Sequence, residues 1–438
     1  MENQFRTLWL RRIALLLILS FSCSGLTGCW DYDEIDETGY VLFLGLDRGV
    51  ENRVTLTAQI AVPGRISSNG GGGGGGSDTP IKGQAFQVVS VEAPTFTGAF
   101  NMMTSFVDRR LSLKHTKSVI FSEELAREGI MTYLSVMARF PEFRRSVFIS
   151  VTRKNSAKEY LEKLTPTLEA NPAKNSELAA GAANFLGSIP AEPYFHYFYN
   201  DAKSTDSDPT CFLADLQRLI PQGAGPSVNP DEWIGEGSYY PGELPRSGGN
   251  PREFIGGAVF RDDRMVGEIN GNEMTALKLI RGTMKTFTLS VPDPLMPDKM
   301  IGVNLQIRKP PQKQIDLSGS VPRLHITVYL EGSLIGMQSS GISYENPNNR
   351  QLVEETINQQ LNEYMETLVD RAQHEFQADI LHLGKTVKHQ FRTQQEWVAY
   401  DWLNTRFPQA EITVEARTKL RRFGLLRKNA PLSREVSS

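Results

Sequence analysis

The twelve residues Val119-Ile120-Phe121-Ser122-Glu123-Glu124-Leu125-Ala126-Arg127-Glu128-Gly129-Ile130 hold a strand, a cap, a helix and a stop. The apolar run 119–121 predicts a short buried strand. Ser122 is placed to cap the helix that follows, with Glu123 and Glu124 favourable in its first turn. Gly129 breaks that helix ahead of a second one over 130–139. A buried strand running directly into a helix is the unit of a mixed sheet with helices packed on it.

The alternation extends both ways. Upstream, 40–46 is an apolar run and 54–60 alternates apolar with polar, a half-buried strand. Arg48-Gly49 and Glu51-Asn52 supply a hairpin turn between them. Residues 95–110 predict a helix with Phe96, Phe100, Met103 and Val107 on one face. Downstream, 146–151 alternates again, and Ser156-Ala157-Lys158-Glu159 is a capping box. Residues 67–77 interrupt this pattern with seven consecutive glycines, Gly70 to Gly76. A phosphate-binding glycine loop opens a helix, whereas Ser77-Asp78-Thr79-Pro80 follows here. The stretch is read as a flexible connector whose ends lie roughly 15–20 Å apart.

Ahead of all this stands a different signal. Arg6, Arg11 and Arg12 give a positive start, 13–21 is a short apolar run, and small residues lead to Gly28, the layout of a secretory signal. The run falls short of the about 20 residues a spanning helix needs. Leu26-Thr27-Gly28-Cys29 then has the bacterial lipobox pattern. Cys29 would receive a diacylglyceryl group, and cleavage before it would make Cys29 the lipidated N-terminus. The plainer alternative is a signal peptide that happens to contain cysteine. Cys23 competes less well, because Ser20 stands where leucine is expected. The 438 residues carry net charge −3, and removing residues 1–28, which hold +2, leaves −5. That balance argues against a nucleic-acid protein. The cysteines left are Cys29, bearing lipid, and Cys211, read as a small buried hydrophobe rather than a reactive thiol. Trp30 is either an interfacial anchor or packed on the first domain.

Residues 177–186 are compatible with a helix. Tyr194, Phe195, Tyr197, Phe198 and Tyr199 form an aromatic cluster, read as core or interface ahead of a ligand site. From Ser204 to Arg252 glycine, proline and polar residues suit a long connection. Beyond it, 255–260 and 265–269 flank Arg261-Asp262-Asp263-Arg264 as a hairpin. Asn272-Glu273 starts a helix carrying Met274, Leu277 and Ile280. Residues 303–307 and 324–328 alternate strictly, which fits an antiparallel sheet with one covered face. The long helix 351–376, with Val353, Ile357, Leu361, Tyr364, Leu368, Ala372 and Phe376 on one stripe, is read as that cover ahead of a coiled-coil partner helix. Residues 410–417 are the last strand.

Two catalytic likenesses fail on their own residues. His374-Glu375-Phe376-Gln377-Ala378 resembles a zinc-protease helix, but Ala378 stands where the second histidine belongs. Gly384-Lys385-Thr386 resembles the end of a phosphate loop, but Asp379 replaces the first glycine. No catalytic residue, metal ligand or cofactor is expected.

Leu26 to Asp31, Asp108-Arg109-Arg110-Leu111-Ser112-Leu113-Lys114-His115-Thr116-Lys117, the stretch 119–130, and Phe140-Pro141-Glu142-Phe143-Arg144-Arg145 together resemble the C-subunit lipoproteins of spore germination receptors, the Ger(x)C family. The 255–269 hairpin, Ala378-Asp379-Ile380 and 421–425 continue the resemblance, and the glycine run departs from it. The resemblance implies a non-enzymatic subunit of a nutrient germinant receptor that works with two integral membrane subunits, A and B. It would be held by Cys29 at the outer face of the inner spore membrane. The expected fold class is α+β: three mixed α/β domains, with an antiparallel sheet and a long helix in the C-terminal one. The expected division is 1–28 signal peptide, 29–203 N-terminal α/β domain with the loop 67–77, 204–300 middle segment, 301–425 C-terminal α+β domain, and 426–438 disordered tail. One rival reading is a lipoprotein hydrolase, for which no catalytic set is visible; the other is a solute-binding lipoprotein of an importer. It would need long parallel βαβ repeats in two lobes, against the antiparallel pattern after Phe254.

Overall fold

The structure, a computed structural model, describes residues 2–24, 37–51, 53–62, 85–164, 172–191, 193–218 and 237–423. Cys29, the glycine run and the tail 426–438 lie outside them.

The described residues form two sheets. The first has nine strands. β1 (Thr38–Arg48), β2 (Val54–Ala61) and β3 (Phe86–Ala93) make an antiparallel meander. β4 (Arg110–Ser112) pairs in parallel with the start of β1. β5 (Ser118–Ser122), β6 (Phe148–Thr152) and β7 (Thr210–Leu216) then run parallel to β1, and the hairpin β8 (Arg252–Arg261) and β9 (Arg264–Ile269) closes the far side. The order is β3-β2-β1-β5-β6-β7-β8-β9. β1 is central and covered on both faces, which is why 41–46 is apolar without alternation.

After α1 (Glu2–Ser24), helices lie on each face of this sheet. α2 (Phe96–Thr104), α3 (Glu123–Glu128), α4 (Met131–Met137) and α7 (Phe195–Asp201) share one core with Leu44, Phe121 and Val151. α5 (Ala157–Glu162) and α6 (Pro172–Gly181) meet Phe43 and Ile120 on the other. Ser122 and Ser156 both cap as expected, accepting from Leu125 N and Glu159 N. The helix expected over 95–110 stops at Thr104. There the Thr104 and Ser105 hydroxyls take the carbonyls of Phe100 and Met102. The segment 204–252, read as a connection, holds an interior strand, β7. Residues 204–300 thus supply β7, β8 and β9 to the first sheet and a strand to the second.

α8 (Gly271–Arg281) follows the hairpin, and here the reciprocal capping box is complete. Asn270 accepts from Glu273 N while Glu273 accepts from Asn270 N. The second sheet is β10 (Thr286–Asp293), β11 (Met296–Asp316), β12 (Arg323–Met337) and β13 (Glu411–Arg422), in that order. β10 to β12 are antiparallel as expected, but β13 is parallel to β12. The chain reaches it by crossing over through α9 (Pro347–Asp370), a π turn at Arg371–Glu375, α10 (Leu383–Val387) and α11 (Gln394–Tyr400). α9 is a core helix: Val353, Ile357, Leu361, Met365 and Leu368 are buried with the sheet residues Val303, Ile326 and Val328. The opposite face is polar and carries cross-strand pairs such as Arg323–Glu411 at 2.8 Å. The chain is α+β, with a sheet and a long helix at its C-terminal end.

Candidate functional site

Cys29, the expected lipid-attachment residue, lies outside the described residues. The chain enters the fold at the end of the sheet where the parallel strands start, with Thr38 beside Arg110. Cys211 is fully buried in β7 and burial pushes its thiol far up, which suits packing rather than nucleophilic chemistry. His374 is exposed and bonds the Asp370 carboxylate, while Ala378 is buried. Among the described residues no group of three or more His, Cys, Asp or Glu is placed to hold a metal ion.

Open α/β sheets usually take ligands where the parallel strands end. That place is the crevice at the ends of β1, β5 and β6, and the chain's own charges occupy it. Asp47 accepts from Ala157 N and Lys158 N at 2.7 and 2.9 Å, filling the start of α5. Burial raises the Asp47 carboxyl and these N–H groups oppose the rise. The three arginines there are paired: Arg48 with Glu124 and Glu128, Arg127 with Glu123, and Arg153 with Glu268. The resembled phosphate loop is filled the same way. Leu383 N and Gly384 N donate to the Asp379 carboxylate at 3.1 and 2.7 Å, and Trp402 Nε1 donates at 2.8 Å. An incoming phosphate would have to displace a buried carboxylate from each position.

Asp379 also belongs to a polar seam between the two sheets. The Asp208 carboxylate accepts from Asp379 N and Asp262 N at 2.9 and 3.0 Å, and Asp208 N donates to Asp379 O. Asp206 takes Lys388 and the Trp397 indole, both within 2.9 Å, and Asp201 takes Lys385 at 2.6 Å. Burial lifts the Asp208 carboxyl to about 7, with the Asp379 and Asp262 charges adding to the rise. Burial pushes His382 down to about 3. The His382 ring, 3.2 Å away, and then the Lys385 ammonium hold the Asp201 carboxyl at about 2 against its own burial. These residues form an acidic loop, 201–208, gripped by the helical segment 379–402. Sequence reasoning singled out Asp379 as a defect in a motif and as part of the family resemblance, not as a buried carboxylate. It missed Asp47 and Asp208, whose partners lie more than 50 positions away.

Residues 31–215 match the family model described as spore germination protein N-terminal domain. Residues 255–424 match the one described as spore germination B3/GerAC like, C-terminal. Spore germination protein KC of Bacillus subtilis (strain 168) is 24% identical over 97% of this chain and 98% of its own length. Spore germination protein B3 of the same organism is 20% identical over 94% of this chain and 98% of its own. A crystal structure of the GerBC protein aligns with a TM-score of 0.48 and 16% identity, covering 86% of this chain and 96% of that one.

Proposed function

This chain belongs to the GerAC-like family of spore germination proteins, and from that premise we propose that it is a lipid-anchored, non-enzymatic subunit of a nutrient germinant receptor. It works beside two integral membrane subunits, with Cys29 as the lipidated N-terminus on the extracytoplasmic face of the inner spore membrane. The observation that carries the reading is that both family regions follow one another in a single chain, as 31–215 and 255–424. The filled anion positions at Asp47 and Asp379 and the buried Cys211 support a binding role over a catalytic one. Two acyl chains or more at Cys29 are enough for stable anchoring, and confinement to the bilayer raises the effective concentration of membrane partners.

The test is capture of the tagged chain from detergent-solubilised spore membranes, followed by mass spectrometry of what accompanies it. Two polytopic subunits in near-equal amounts are expected. Recovery of the chain alone after mild crosslinking rules the assembly out.

A further inference from the structure

A cleft of about 680 Å³ opens where the starts of β5 and β6 meet the turn between α8 and β10. Its volume is in the range of small-molecule sites, about 300–1,000 Å³. Lys117 comes from the residue before β5, Arg144 from the turn before β6, Lys285 from the turn before β10, and Glu177 from α6. Lys117 is paired with Glu177. Arg144 and Lys285 have no ion-pair partner among the described residues. His115, next to Thr116 of the lining, feels part of this charge: after the burial of its ring, Arg144, Lys117 and Lys114 hold its proton affinity below the ordinary value. Tyr194 lies nearly flat on Phe148, ring centres 5.0 Å apart, and both line the cleft.

The walls are held in place. The buried Lys278 ammonium of α8 donates to Ala183 O, Leu186 O and Ile189 O at 2.7–2.9 Å, strapping the segment that forms one side. The turn carrying Arg144 is pinned by His196 N and Phe195 N, which donate to Arg145 O and Val147 O. A preformed cleft spends little of its binding energy on ordering itself.

We propose that this cleft binds a small organic anion. A carboxylate or phosphate sits between Arg144 and Lys285, and a planar or apolar body lies along Tyr194. Arginine's planar fork recognises either oxyanion, and the cavity is larger than an inorganic ion fills. Because Lys285 belongs to the C-terminal region and Arg144 to the N-terminal one, an occupant ties the two sheets together.

The experiment is calorimetric titration of the purified full chain with phenyl phosphate, benzoate and inorganic phosphate. Saturable binding of phenyl phosphate or benzoate is expected. The double variant Arg144→Gln, Lys285→Gln should weaken it by about tenfold or more while circular dichroism and melting stay unchanged. Tyr194→Ala should weaken the aromatic anions and spare inorganic phosphate. Absence of saturable binding by both aromatic anions overturns the proposal, as does equal affinity in the folded double variant. The titration uses the isolated chain, so its outcome is separate from that of the receptor assembly.

Discussion

Asn358 accepts a hydrogen bond from the Thr418 backbone N–H at 2.8 Å, and this is the middle rung of three. Glu354 accepts from Leu420 N at 2.8 Å and Asn362 from Ala416 N at 2.7 Å. Four residues of helix rise about 6 Å and two residues of strand about 6.6 Å. Alternate N–H groups of β13 therefore meet every fourth residue of α9 running the other way. β13 is the edge of its sheet. Its outward N–H groups would otherwise offer a template to another strand.

Asn358→Leu should leave the Thr418 N–H unpaired and cost about 1–3 kcal/mol in urea unfolding. Replacing Glu354, Asn358 and Asn362 together by leucine should open the edge, giving concentration-dependent self-association by light scattering. A monomeric triple variant of wild-type stability would mean that the rungs do not guard the edge.

Gly384 is the point of closest approach at the seam. A Cβ there would strike the Asp206 carbonyl, which is backbone, and come within 2.5 Å of the Trp402 ring. Gly384→Ala is therefore expected to cost about 1–3 kcal/mol or more. It should also raise hydrogen exchange at Asp208 N and Asp379 N ahead of the rest of the chain. Unchanged exchange at those two amides would show that the seam yields without opening.

The same seam sets a pH dependence. Asp208 has a folded value of about 7 against 3.8 for an ordinary aspartate. The folded state therefore holds the extra proton between these values. Its stabilising contribution is complete below about 4 and is lost as pH rises through 7. Asp208→Asn removes this titration and leaves Asp201 and His382 in place. Wild type should lose stability relative to the variant across pH 4–7, with a slope of up to about 1.4 kcal/mol per pH unit. Parallel stability curves would mean that Asp208 titrates normally.

Local signals carried much of this fold. Ser122 and Gly129 delimit α3 in the sequence as in the structure, and the stripe Val353, Ile357, Leu361 marks the buried side of α9. What stayed hidden is non-local. Thr210–Leu216 is a short strand inside a polar, glycine-rich stretch, and only pairing with β6 and β8 makes it interior. The direction of β13 depends on a crossover of over 70 residues, which periodicity does not encode. Asn358 and Asn362 lie off the apolar stripe of the helix, and the N–H groups they serve come from a strand about 60 positions later. The cleft stayed hidden too, since Lys117 and Arg144 precede strands of the first sheet while Lys285 precedes one of the second.

Cys29 is expected to be the lipidated N-terminus that holds the chain at the membrane. If the lipid confines the chain, the folded surface need supply only specificity, and a weak contact with the transmembrane subunits suffices. The stretch from Cys29 to the start of β1 at Thr38 reaches roughly 30 Å when extended, so the first sheet stays close to the bilayer. In spores lacking the native copy, the wild-type chain should restore the response to a nutrient. A version held by an uncleaved signal anchor should restore part of it, because confinement survives without the lipid. A soluble secreted version should restore little, since its local concentration falls to that of the surrounding volume. Cys29→Ala should lose acyl labelling and either accumulate as precursor or leave the membrane fraction. The decisive comparison is at matched protein level: full germination with the soluble version would show that confinement is not how the subunit works, whatever the fate of the lipid.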